Sequence, residues 1–591
     1  MKKYTADFET TTNENETHVW AYGISEIGNP DNFIYGTKIS DFILWCYKQK
    51  DNPQIYFHNL KFDGEFIIHY LLKNGYTYFK ERENKTDKSF TCLITSDGLF
   101  YSLTIIFKAG EKKDHKVTFY DSLKILNMSV EKVVESFKLP IGKLEIDYSR
   151  HNSLPEGSPL SKEEIDYLRN DVEIMSRALY IMFESGLNKM TIGSDALAYY
   201  KTINKNFDNF FPVLALDIDD ELRESYRGGF TYLNPKYKEK ETGKGIVLDV
   251  NSLYPSVMYN ELLPYGEPVF FAGKYEEDKN YPLYIQKITC AFKIKPNKIP
   301  TLQLKKYTLS FMQNEYIEDS KGDIFTFTLT SVDLKLFLEQ YDTEFLTYEY
   351  GYKFMGIKGL FTSYIDKWSE EKIKAKKEGN SGMYTISKLL LNSLYGKFGT
   401  NPNSRKKYPI LENDIVKYKL HDMEVREPVY VAMSSFITSY ARRKTILTSQ
   451  AIRDYSLKKY GEDYYIYSDT DSIHCLFEVD EIKKGVYKFT DKDKELNGII
   501  DIDDFRLGAW KIESTYIRGK YLRQKCYIEL GFDKNNNEKL NVVVAGLPKK
   551  LSSKVNFENF NENLTVGGKL TFSHTKGGVV LVETTFSIKG K

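Results

Sequence analysis

One short acidic turn constrains this chain more than any other stretch of its sequence. Residues 464–477 read YYIYSDTDSIHCLF, with aromatic and β-branched residues on both sides of a turn that contains Asp469 and Asp471. This pattern predicts a β-hairpin that presents two carboxylates at its tip. Close carboxylates repel one another unless a cation lies between them, and hard oxygen ligands favour magnesium or manganese. For an isolated DxD sequence, a solvated acidic turn is the alternative interpretation.

Two upstream segments complete this pattern. The segment KGIVLDVNSLYPSVMY predicts an apolar strand that ends at Asp249 and continues into the turn SLYPS. The segment KLLLNSLYGKFG predicts a helix that carries Lys388, Asn392 and Tyr395 on one face. Each segment alone also fits a core strand or an amphipathic surface helix.

In the order DxxSLYPS, KxxxNSxYG and YxDTDS, the three segments resemble motifs A, B and C of family B DNA polymerases. The resemblance implies a right-hand domain of palm, fingers and thumb that performs template-directed DNA synthesis. It also implies that Asp249 and Asp471 bridge two metal ions, with the Val250 carbonyl and Asp469 completing the shell. The expected cofactor is Mg²⁺, with Mn²⁺ as a possible substitute.

The same resemblance implies a set of nucleotide contacts. Tyr254 is expected to lie under the sugar and exclude a 2'-hydroxyl, and Lys388, assisted by Lys376, to bind the triphosphate. Tyr384 stands one turn before Lys388, where phage relatives often carry a lysine, and this leaves its own triphosphate contact open. Between residues 364 and 407 there are ten Lys or Arg against four acids, which favours a phosphate-facing role. Asn392 and Tyr395 are expected to form the wall against which the nascent base pair is tested.

A second set of acids lies near the N-terminus. The strand-like segment YTADFET places Asp7 and Glu9 on one face. The segment IYFHNLKFDGEFII carries Asn59 and Asp63, and a buried carboxylate there is costly unless it serves a ligand. A helix N-cap is the alternative role for Asp63.

Further along, a capping box of Ser161 and Glu164 opens a helix on which Tyr167 and Asp171 share a face. DFET, the NxxxFD-like segment and YxxxD together resemble the three Exo motifs of DnaQ-like 3'-5' exonucleases. The resemblance implies two metals about 3.5–4 Å apart and a water oriented by Tyr167. The expected catalytic acids are Asp7, Glu9, Asp63 and Asp171, with Glu145 as a further metal ligand or, equally, a surface residue. The expected ligands of the primer end are Thr10, His58, Asn59, Phe62, Ser122 and Leu123.

Two further segments resemble DNA-contacting motifs of the same family. Tyr226, Gly228 and Gly229 match the YxGG motif that partitions the primer between the two sites, although paired glycines also suit a simple turn. Lys525 and Tyr527 match the KxY motif that holds the primer, although a charge-alternating strand is the alternative. Ser252 of motif A is also expected to contact DNA.

Two insertions place the chain in a subgroup. They resemble the TPR1 and TPR2 regions of protein-primed polymerases of small phages, where the first docks a terminal protein and duplex and the second closes a ring around DNA. Alternatively, both insertions are surface segments without a function. Residues 184–224 show an irregular sequence pattern. The expected fold is α/β and α+β multidomain, with a DnaQ/RNase H-like exonuclease before the right hand. The expected domains are 1–189 exonuclease, 190–260 palm, 261–358 first insertion, 359–400 fingers, 401–427 second insertion, 428–548 palm and 549–591 thumb.

Composition sets the remaining limits. The 591 residues have 83 basic and 82 acidic side chains, so DNA binding depends on local patches. Five scattered cysteines and the lack of an apolar run of about 18 residues predict a soluble, cytoplasmic monomer. The expected partners are primer-template DNA, deoxynucleoside triphosphates and a terminal protein, in processive, strand-displacing replication of a linear phage-type genome. A polymerase primed by nucleic acid and a nonenzymatic DNA-binding relic are the alternatives; Tyr254 and the Exo motifs speak against a reverse transcriptase or an RNA polymerase.

Overall fold

A computed structural model describes residues 1–303, 316–533 and 535–588. Residues 304–315 of the expected first insertion, Lys534 of the palm and residues 589–591 of the thumb lie outside this description. The N-terminal region folds into β1 Lys3–Thr10, β2 Val19–Glu26, β3 Asn29–Gly36, α1 Ile39–Lys48, β4 Gln54–Phe57, α2 Leu60–Lys73, β5 Thr77–Tyr78, β6 Ser89–Thr95, β7 Phe100–Lys108, β8 His115–Asp121, α3 Val130–Phe137 and α4 Lys162–Glu184.

The N-terminal strands form a mixed sheet in the order β6-β7-β8-β4-β1-β2-β3. Strand β1 lies inside the sheet, parallel to β4 and antiparallel to β2. Helix α4 begins at the expected capping box, in which Ser161 and Glu164 bond to each other's backbone. The Thr5 hydroxyl donates to the Val172 carbonyl (2.7 Å), so α4 is held across β1. This crossing brings the acids of the two elements together.

The irregular sequence pattern at residues 184–224 corresponds to a largely helical segment. Three helices occupy most of it, and Thr191 caps the first by accepting from the Ser194 amide. They are short, so each offers little periodicity for sequence reasoning. The segment up to residue 260 contains α5 Ile192–Ile203, α6 Phe207–Phe210, α7 Leu216–Arg223, β9 Thr231–Leu233, β10 Glu241–Thr242, β11 Gly245–Val250 and α8 Leu253–Asn260.

The first insertion is a four-stranded sheet with one helix. Its strand order is β12-β15-β13-β14, and Phe292, Phe337 and Tyr341 lie in its own core. Asp333 of this insertion pairs with Arg442 of the helix that follows the second insertion (2.5 Å), which fixes the insertion to the body of the protein. Its elements are β12 Leu263–Ala272, β13 Leu283–Ile294, β14 Phe325–Thr330, α9 Ser331–Gln340 and β15 Tyr341–Ile357.

A helical hairpin and a second insertion follow. The hairpin buries Leu390, Leu391 and Leu394, and the Tyr364 hydroxyl donates to the Leu390 carbonyl (2.8 Å). In the second insertion, β17 pairs with β6 and so extends the N-terminal sheet at its edge. These elements are α10 Thr362–Lys377, α11 Ser381–Phe398, β16 Asn403–Ser404, β17 Lys406–Glu412, β18 Ile415–Leu420 and β19 Glu424–Val425.

The C-terminal part returns to the centre of the molecule. Its strands complete a five-stranded sheet in the order β24-β11-β21-β20-β9, so distant segments of the chain share one sheet. Among the described residues, no helix combines the length and apolar character needed to cross a bilayer. The elements are α12 Val431–Tyr460, β20 Tyr465–Asp469, β21 Ser472–Cys475, β22 Val479–Lys483, β23 Val486–Phe489, α13 Leu496–Ile499, β24 Trp510–Tyr516, β25 Arg518–Arg523, β26 Cys526–Phe532, β27 Glu538–Val544, β28 Thr565–Thr575 and β29 Gly578–Ser587.

The β28–β29 hairpin reaches back to the N-terminal sheet. The Thr17 amide donates to the Lys576 carbonyl (2.9 Å) at the hairpin turn. Gly577 has φ +86°, and a Cβ there would lie 1.8 Å from the Thr17 carbonyl oxygen, so the turn requires glycine. The C-terminal hairpin, the second insertion and the N-terminal sheet therefore meet at one junction.

Candidate active sites

The N-terminal acids converge on one point. Carboxylate oxygens of Asp7 and Glu9 on β1 and of Asp171 on α4 all lie within 4.8 Å of one another. Asp171 Oδ1 is buried and has no hydrogen-bond partner among the described residues. Three converging carboxylates with an unpartnered buried oxygen fit hard divalent cations such as Mg²⁺.

The pKa values of the carboxyls in this cluster also favour bound cations. Burial, followed by the charges of its neighbours, raises the pKa of the carboxyls of Asp7 and Glu9. The Lys143 ammonium opposes both shifts. Asp63 is adjacent, with a pKa raised by burial and by Asp7. Since like charges crowd here without enough positive charge, the site is built to receive cations.

Asp63 is not a helix cap. The N-cap of α2 is Asn59, in a left-handed conformation, and Asp63 lies inside the first turn. The Phe8 amide donates to Asp63 Oδ1 (3.2 Å), which ties α2 to the strand that carries Asp7 and Glu9. The N-cap alternative for Asp63 is therefore wrong.

Sequence reasoning missed two residues of this site. Lys143 and Tyr148 line a cavity of about 230 Å³ together with Asp7, Glu9 and Tyr167. The hydroxyls of Tyr148 and Tyr167 lie 2.7 Å apart. Both missed residues stand between α3 and α4 in a stretch without helix or strand periodicity, so no local pattern marks them.

Glu145 does not join the cluster. Its side chain is exposed, and it is outside the trio of converging carboxylates found among the described residues. This placement agrees with the surface-residue alternative for Glu145, and its role as a metal ligand stays a prediction.

The expected primer-end ligands differ in their surroundings. Ser122 is fully buried and donates to the Phe57 carbonyl (3.1 Å), and its hydroxyl also lies 3.0 Å from His58 Nδ1. Ser122 therefore orients His58, and its contact with the primer end stays a prediction. Phe62 packs against Phe572 of the C-terminal hairpin, with ring centroids 6.2 Å apart. Among the others, Thr10 is buried, Asn59 is exposed, and Leu123 and His58 are half-buried.

The second group of acids lies in the central sheet. Asp249 and Asp469 both pair in register with Ser472, and the Val250 amide donates to the Asp471 carbonyl (2.9 Å). The acidic turn is the predicted hairpin, with Thr470 at φ 60°. The register brings strands from two distant segments side by side, with Asp249 next to the turn that carries Asp471.

Burial raises the pKa of Asp249 to about 7, and the charges of Glu513 and Asp471 add to the shift. Desolvation at the turn, followed by the charges of Asp469 and Glu513, raises the pKa of Asp471, although part of its side chain faces solvent. Glu513, on β24, contributes to both shifts and was not identified from the sequence. As in the N-terminal cluster, neighbouring acids raise the pKa of these carboxyls, which favours a bound cation.

Asp469 is differently placed. Lys525 Nζ lies 3.0 Å from Asp469 Oδ1, and the Tyr467 hydroxyl donates to Asp469 Oδ2 (3.2 Å). The Lys525 amide in turn donates to the Tyr467 hydroxyl (2.9 Å), and the Tyr527 ring lies 5.3 Å from that of Tyr467. The segment of the expected KxY motif is thus bonded to the acidic hairpin.

The helical hairpin faces this centre. The rings of Tyr254 and Tyr395 stack with centroids 4.0 Å apart, and Ser252, just before them, adopts φ 57°. Asn392 and Lys388 are exposed on the same helix, and the Asn392 amide donates to the Lys388 carbonyl (3.0 Å).

Several lysines lie near Asn392 and Tyr395. Lys376 and Lys388 are exposed, and Tyr384 is half-buried one turn before Lys388. Burial lowers the pKa of Lys372, and the charges of Lys388, Lys376 and Lys511 lower it further. Neither Lys372 nor Lys511 was singled out from the sequence as a ligand. Such a cluster of cations beside paired acids suits a polyanion bound between them.

The glycine pair lies against the acidic turn. A Cβ on Gly229 would come within 2.6 Å of Thr470 Oγ1, whereas one on Gly228 would meet nothing within 4 Å. The Gly228 carbonyl accepts from Arg442 (2.8 Å), and Tyr226 packs beside Gly399 at the end of α11. Close approach, rather than positive φ, is the reason for glycine at position 229.

Comparison with known proteins decides the family. A family model described as "DNA polymerase type B, organellar and viral" matches residues 46–159 and 155–478. The DNA polymerase of Bacillus phage Nf is 42% identical over 606 residues, which span 100% of both chains. This chain is a type B DNA polymerase.

Further comparisons place this type B polymerase among those of phi29-type phages. The DNA polymerase of Bacillus phage phi29 is 41% identical over 606 residues, covering 100% of this chain and 99% of that protein. The solved structure of "Phi29 DNA polymerase complexed with primer-template DNA (post-translocation binary complex)" matches with a TM-score of 0.89 and 39% identity over 100% of both chains. These matches confirm the predicted family and the multidomain exonuclease-plus-polymerase architecture.

Proposed function

We propose that this type B polymerase extends a DNA primer by two-metal nucleotidyl transfer, proofreads with a separate 3'-5' exonuclease site, and starts replication from a protein. The observation that carries the proposal is the presence of two separate carboxylate centres, one at Asp249 and Asp471 and one at Asp7, Glu9 and Asp171. At each centre, the negative charge of the carboxylates exceeds the positive charge of the nearby side chains. Divalent metals at such centres activate the attacking oxygen and stabilise charge on the leaving group.

At the polymerase centre, Asp249 and Asp471 would hold the metals, with the Val250 carbonyl and Asp469 as further ligands. Asp469 is paired with Lys525 (3.0 Å), so this lysine exchanges the carboxylate for a primer phosphate when DNA is bound. Tyr254 lies flat on Tyr395, which fixes its ring beneath the nucleotide sugar. A ring held in place this way excludes a 2'-hydroxyl and selects deoxynucleotides.

The lysines of the fingers bind the triphosphate of the incoming deoxynucleotide. Lys388 and Lys376 are exposed beside the half-buried Lys372. Asn392 and Tyr395 form the wall against which the nascent base pair is tested. The structure "Phi29 DNA polymerase complexed with primer-template DNA and incoming nucleotide substrates (ternary complex)", a match at a TM-score of 0.89 and 40% identity, supports these partners.

At the exonuclease centre, Asp7, Glu9, Asp63 and Asp171 would hold the metals. Tyr167 orients the attacking water, and the 2.7 Å contact with the Tyr148 hydroxyl holds Tyr167 in position. Lys143 offsets part of the negative charge of the cluster. The frayed primer end lies along Thr10, Asn59, Phe62 and Leu123, with His58 at the cavity wall.

The ring of elements around the polymerase cleft supports processive, strand-displacing synthesis. The Tyr418 hydroxyl of the second insertion donates to Glu65 Oε1 of α2 (2.8 Å), and His574 of the C-terminal hairpin lies 3.3 Å from Glu65 Oε2. One N-terminal carboxylate thus joins three parts of the chain. A closed ring keeps DNA from leaving between successive additions.

Protein priming rests on the full-length similarity to phage polymerases and on the two insertions. The first insertion is the docking surface for the terminal protein in this proposal, and the cytoplasm of an infected host cell is the place of action. We assign the domain boundaries given above on the same basis.

An initiation assay tests protein priming. The polymerase, its phage terminal protein and a labelled deoxynucleotide are incubated on terminal-origin DNA without a nucleic-acid primer. The expected result is a labelled terminal protein on a denaturing gel, absent with Asp249→Asn. Efficient extension of an annealed primer without any labelled protein would favour the polymerase primed by nucleic acid.

A further inference from the structure

We propose that Lys511 on β24 is a further nucleotide-positioning residue, which holds the triphosphate of the incoming deoxynucleotide from the palm side. The inference rests on the proposed polymerase chemistry at Asp249. It assigns a role to a side chain outside motifs A, B and C.

The sheet register fixes the location of Lys511. Lys511 pairs directly with Asp249 across β24 and β11, and directly paired residues project from the same face of a sheet. Its Nζ lies 3.4 Å from Asp249 Oδ2 and 4.0 Å from Glu513 Oε1, and 32% of its side chain remains exposed. Both contacts are long and partly open to solvent, and the flexible stem lets the ammonium group turn toward a bound anion.

The other side of the cleft is positively charged. Lys511 is one of three lysines, with Lys388 and Lys376, whose charges act on Lys372. Within the described part of the chain, no carboxylate lies within 4.0 Å of the ammonium groups of Lys372, Lys376 or Lys388. Lysines that crowd one another without acidic partners are stabilised by a polyanion among them.

Lys511 therefore bridges the two halves of the centre. Its ammonium group lies beside Asp249 of the palm, and its charge acts on Lys372 of the fingers, so a triphosphate held by the finger lysines would adjoin it. The cleft-facing side of α11 carries Tyr384 rather than a cation one turn before Lys388. A palm lysine supplies the positive charge that this helix face lacks.

Single-nucleotide incorporation by the full chain on a primer-template tests the proposal. Lys511→Met keeps the apolar stem and removes the charge, Lys511→Arg keeps the charge, and Lys488→Met alters an exposed lysine of the separate β22–β23 sheet as a control. We expect Lys511→Met to raise the apparent nucleotide Kd about tenfold, the loss of one charged hydrogen bond, with a much smaller change in the maximal rate. Lys511→Arg restores most of the affinity, and Lys488→Met leaves it unchanged.

Two added measurements separate nucleotide positioning from a structural role. Tyr384→Lys in the Lys511→Met background is expected to recover part of the lost affinity, because it returns a cation to the cleft-facing side of α11. Degradation of single-stranded DNA by Lys511→Met is expected to match that of the unmodified protein, which shows that the variant is folded.

An unchanged nucleotide Kd, with a lower Mg²⁺ requirement or a lower maximal rate, would overturn the proposal and leave Lys511 as a counter-ion of Asp249. Loss of affinity without any recovery by Tyr384→Lys or Lys511→Arg would also overturn it. Failure of the unmodified protein to incorporate nucleotide would instead reject the proposed polymerase chemistry.

Discussion

Asp7 illustrates how single residues of the exonuclease centre trade stability for function. Burial and the neighbouring acids raise its pKa, so the folded, metal-free protein binds protons more tightly than the unfolded chain. Between the ordinary carboxyl pKa of about 4 and the raised values, stability of the metal-free protein is therefore expected to fall as pH rises. Thermal unfolding in EDTA at pH 5 and pH 8 measures this slope.

Asp7→Asn removes one of the repelling charges. We expect the variant to raise the Tm of the metal-free protein at pH 8 by about 2 °C, to flatten the pH slope and to abolish the exonuclease. Glu145→Gln, which alters an exposed acid near the same site, is the control and is expected to change neither property. A lower Tm for Asp7→Asn, or equal loss of exonuclease in both variants, would contradict this account.

Tyr254 gives a second prediction for a single residue. Its ring stacks on Tyr395 at 4.0 Å, so Tyr254→Val removes the surface beneath the sugar, whereas Tyr254→Phe keeps it. We expect Tyr254→Val to lower discrimination against ribonucleotides by a factor of about 100 and Tyr254→Phe to retain discrimination. Incorporation ratios for a ribonucleotide and its deoxynucleotide measure this, and equal discrimination in Tyr254→Val and the unmodified protein would exclude the sugar-gate role.

Individual acids were more predictable than their surroundings. Asp7, Glu9 and Asp171 stand in segments with clear strand or helix patterns, and the structure brings them together. Lys143 and Lys511 carry no such pattern, because their proximity to the acids depends on how separate segments pack. The burial of Ser122 depends on packing in the same way.

At the scale of elements, the loop before β9 is locked to the acidic hairpin. The Thr470 amide donates to the Phe230 carbonyl (2.7 Å), and Gly229 leaves no room for a Cβ beside Thr470. Gly229→Ala is expected to push the hairpin and its carboxylates out of place, lowering polymerisation at least about tenfold while the exonuclease persists. Gly228→Ala, which meets nothing within 4 Å, is the matched control.

The ratio of primer extension to primer shortening on one primer-template measures this effect. If both glycine variants kept the extension-to-shortening ratio of the unmodified protein, close packing of the loop on the hairpin would have no effect on activity.

Long or strongly patterned elements were accessible from the sequence, including the hairpin at Thr470 and the capped helix α4. The short helices α5 to α7 were not, because each buries few residues and offers about one to three turns of periodicity. The pairing of β17 with the edge strand β6 could not be predicted from the sequence either. Pairing between distant strands depends on register and not on local pattern.

At the scale of the whole molecule, the junction at Glu65 joins α2, the second insertion and the C-terminal hairpin. Tyr418→Phe removes the 2.8 Å hydrogen bond to Glu65 but preserves the ring of the tyrosine. We expect shorter products in strand-displacing, rolling-circle synthesis, by a factor of roughly five for the loss of about 1 kcal/mol, while addition of the first nucleotides is unchanged. Lys419→Gln, an exposed change on the same hairpin, is the control.

Product length under single-binding conditions, with a DNA trap, measures the effect of Tyr418→Phe. Equal lengths for Tyr418→Phe, Lys419→Gln and the unmodified protein would show that the junction does not restrain DNA release.

Two separate metal-dependent centres in one chain are the core of the proposed function. Its most direct test follows a 5'-labelled primer on a longer template with Mg²⁺, with and without the four deoxynucleotides, for the unmodified protein, Asp471→Asn and Asp7→Asn. The account predicts extension with nucleotides and shortening without them, extension lost only in Asp471→Asn and shortening lost only in Asp7→Asn. Shortening without extension under any condition, or loss of both activities in either variant, would contradict it.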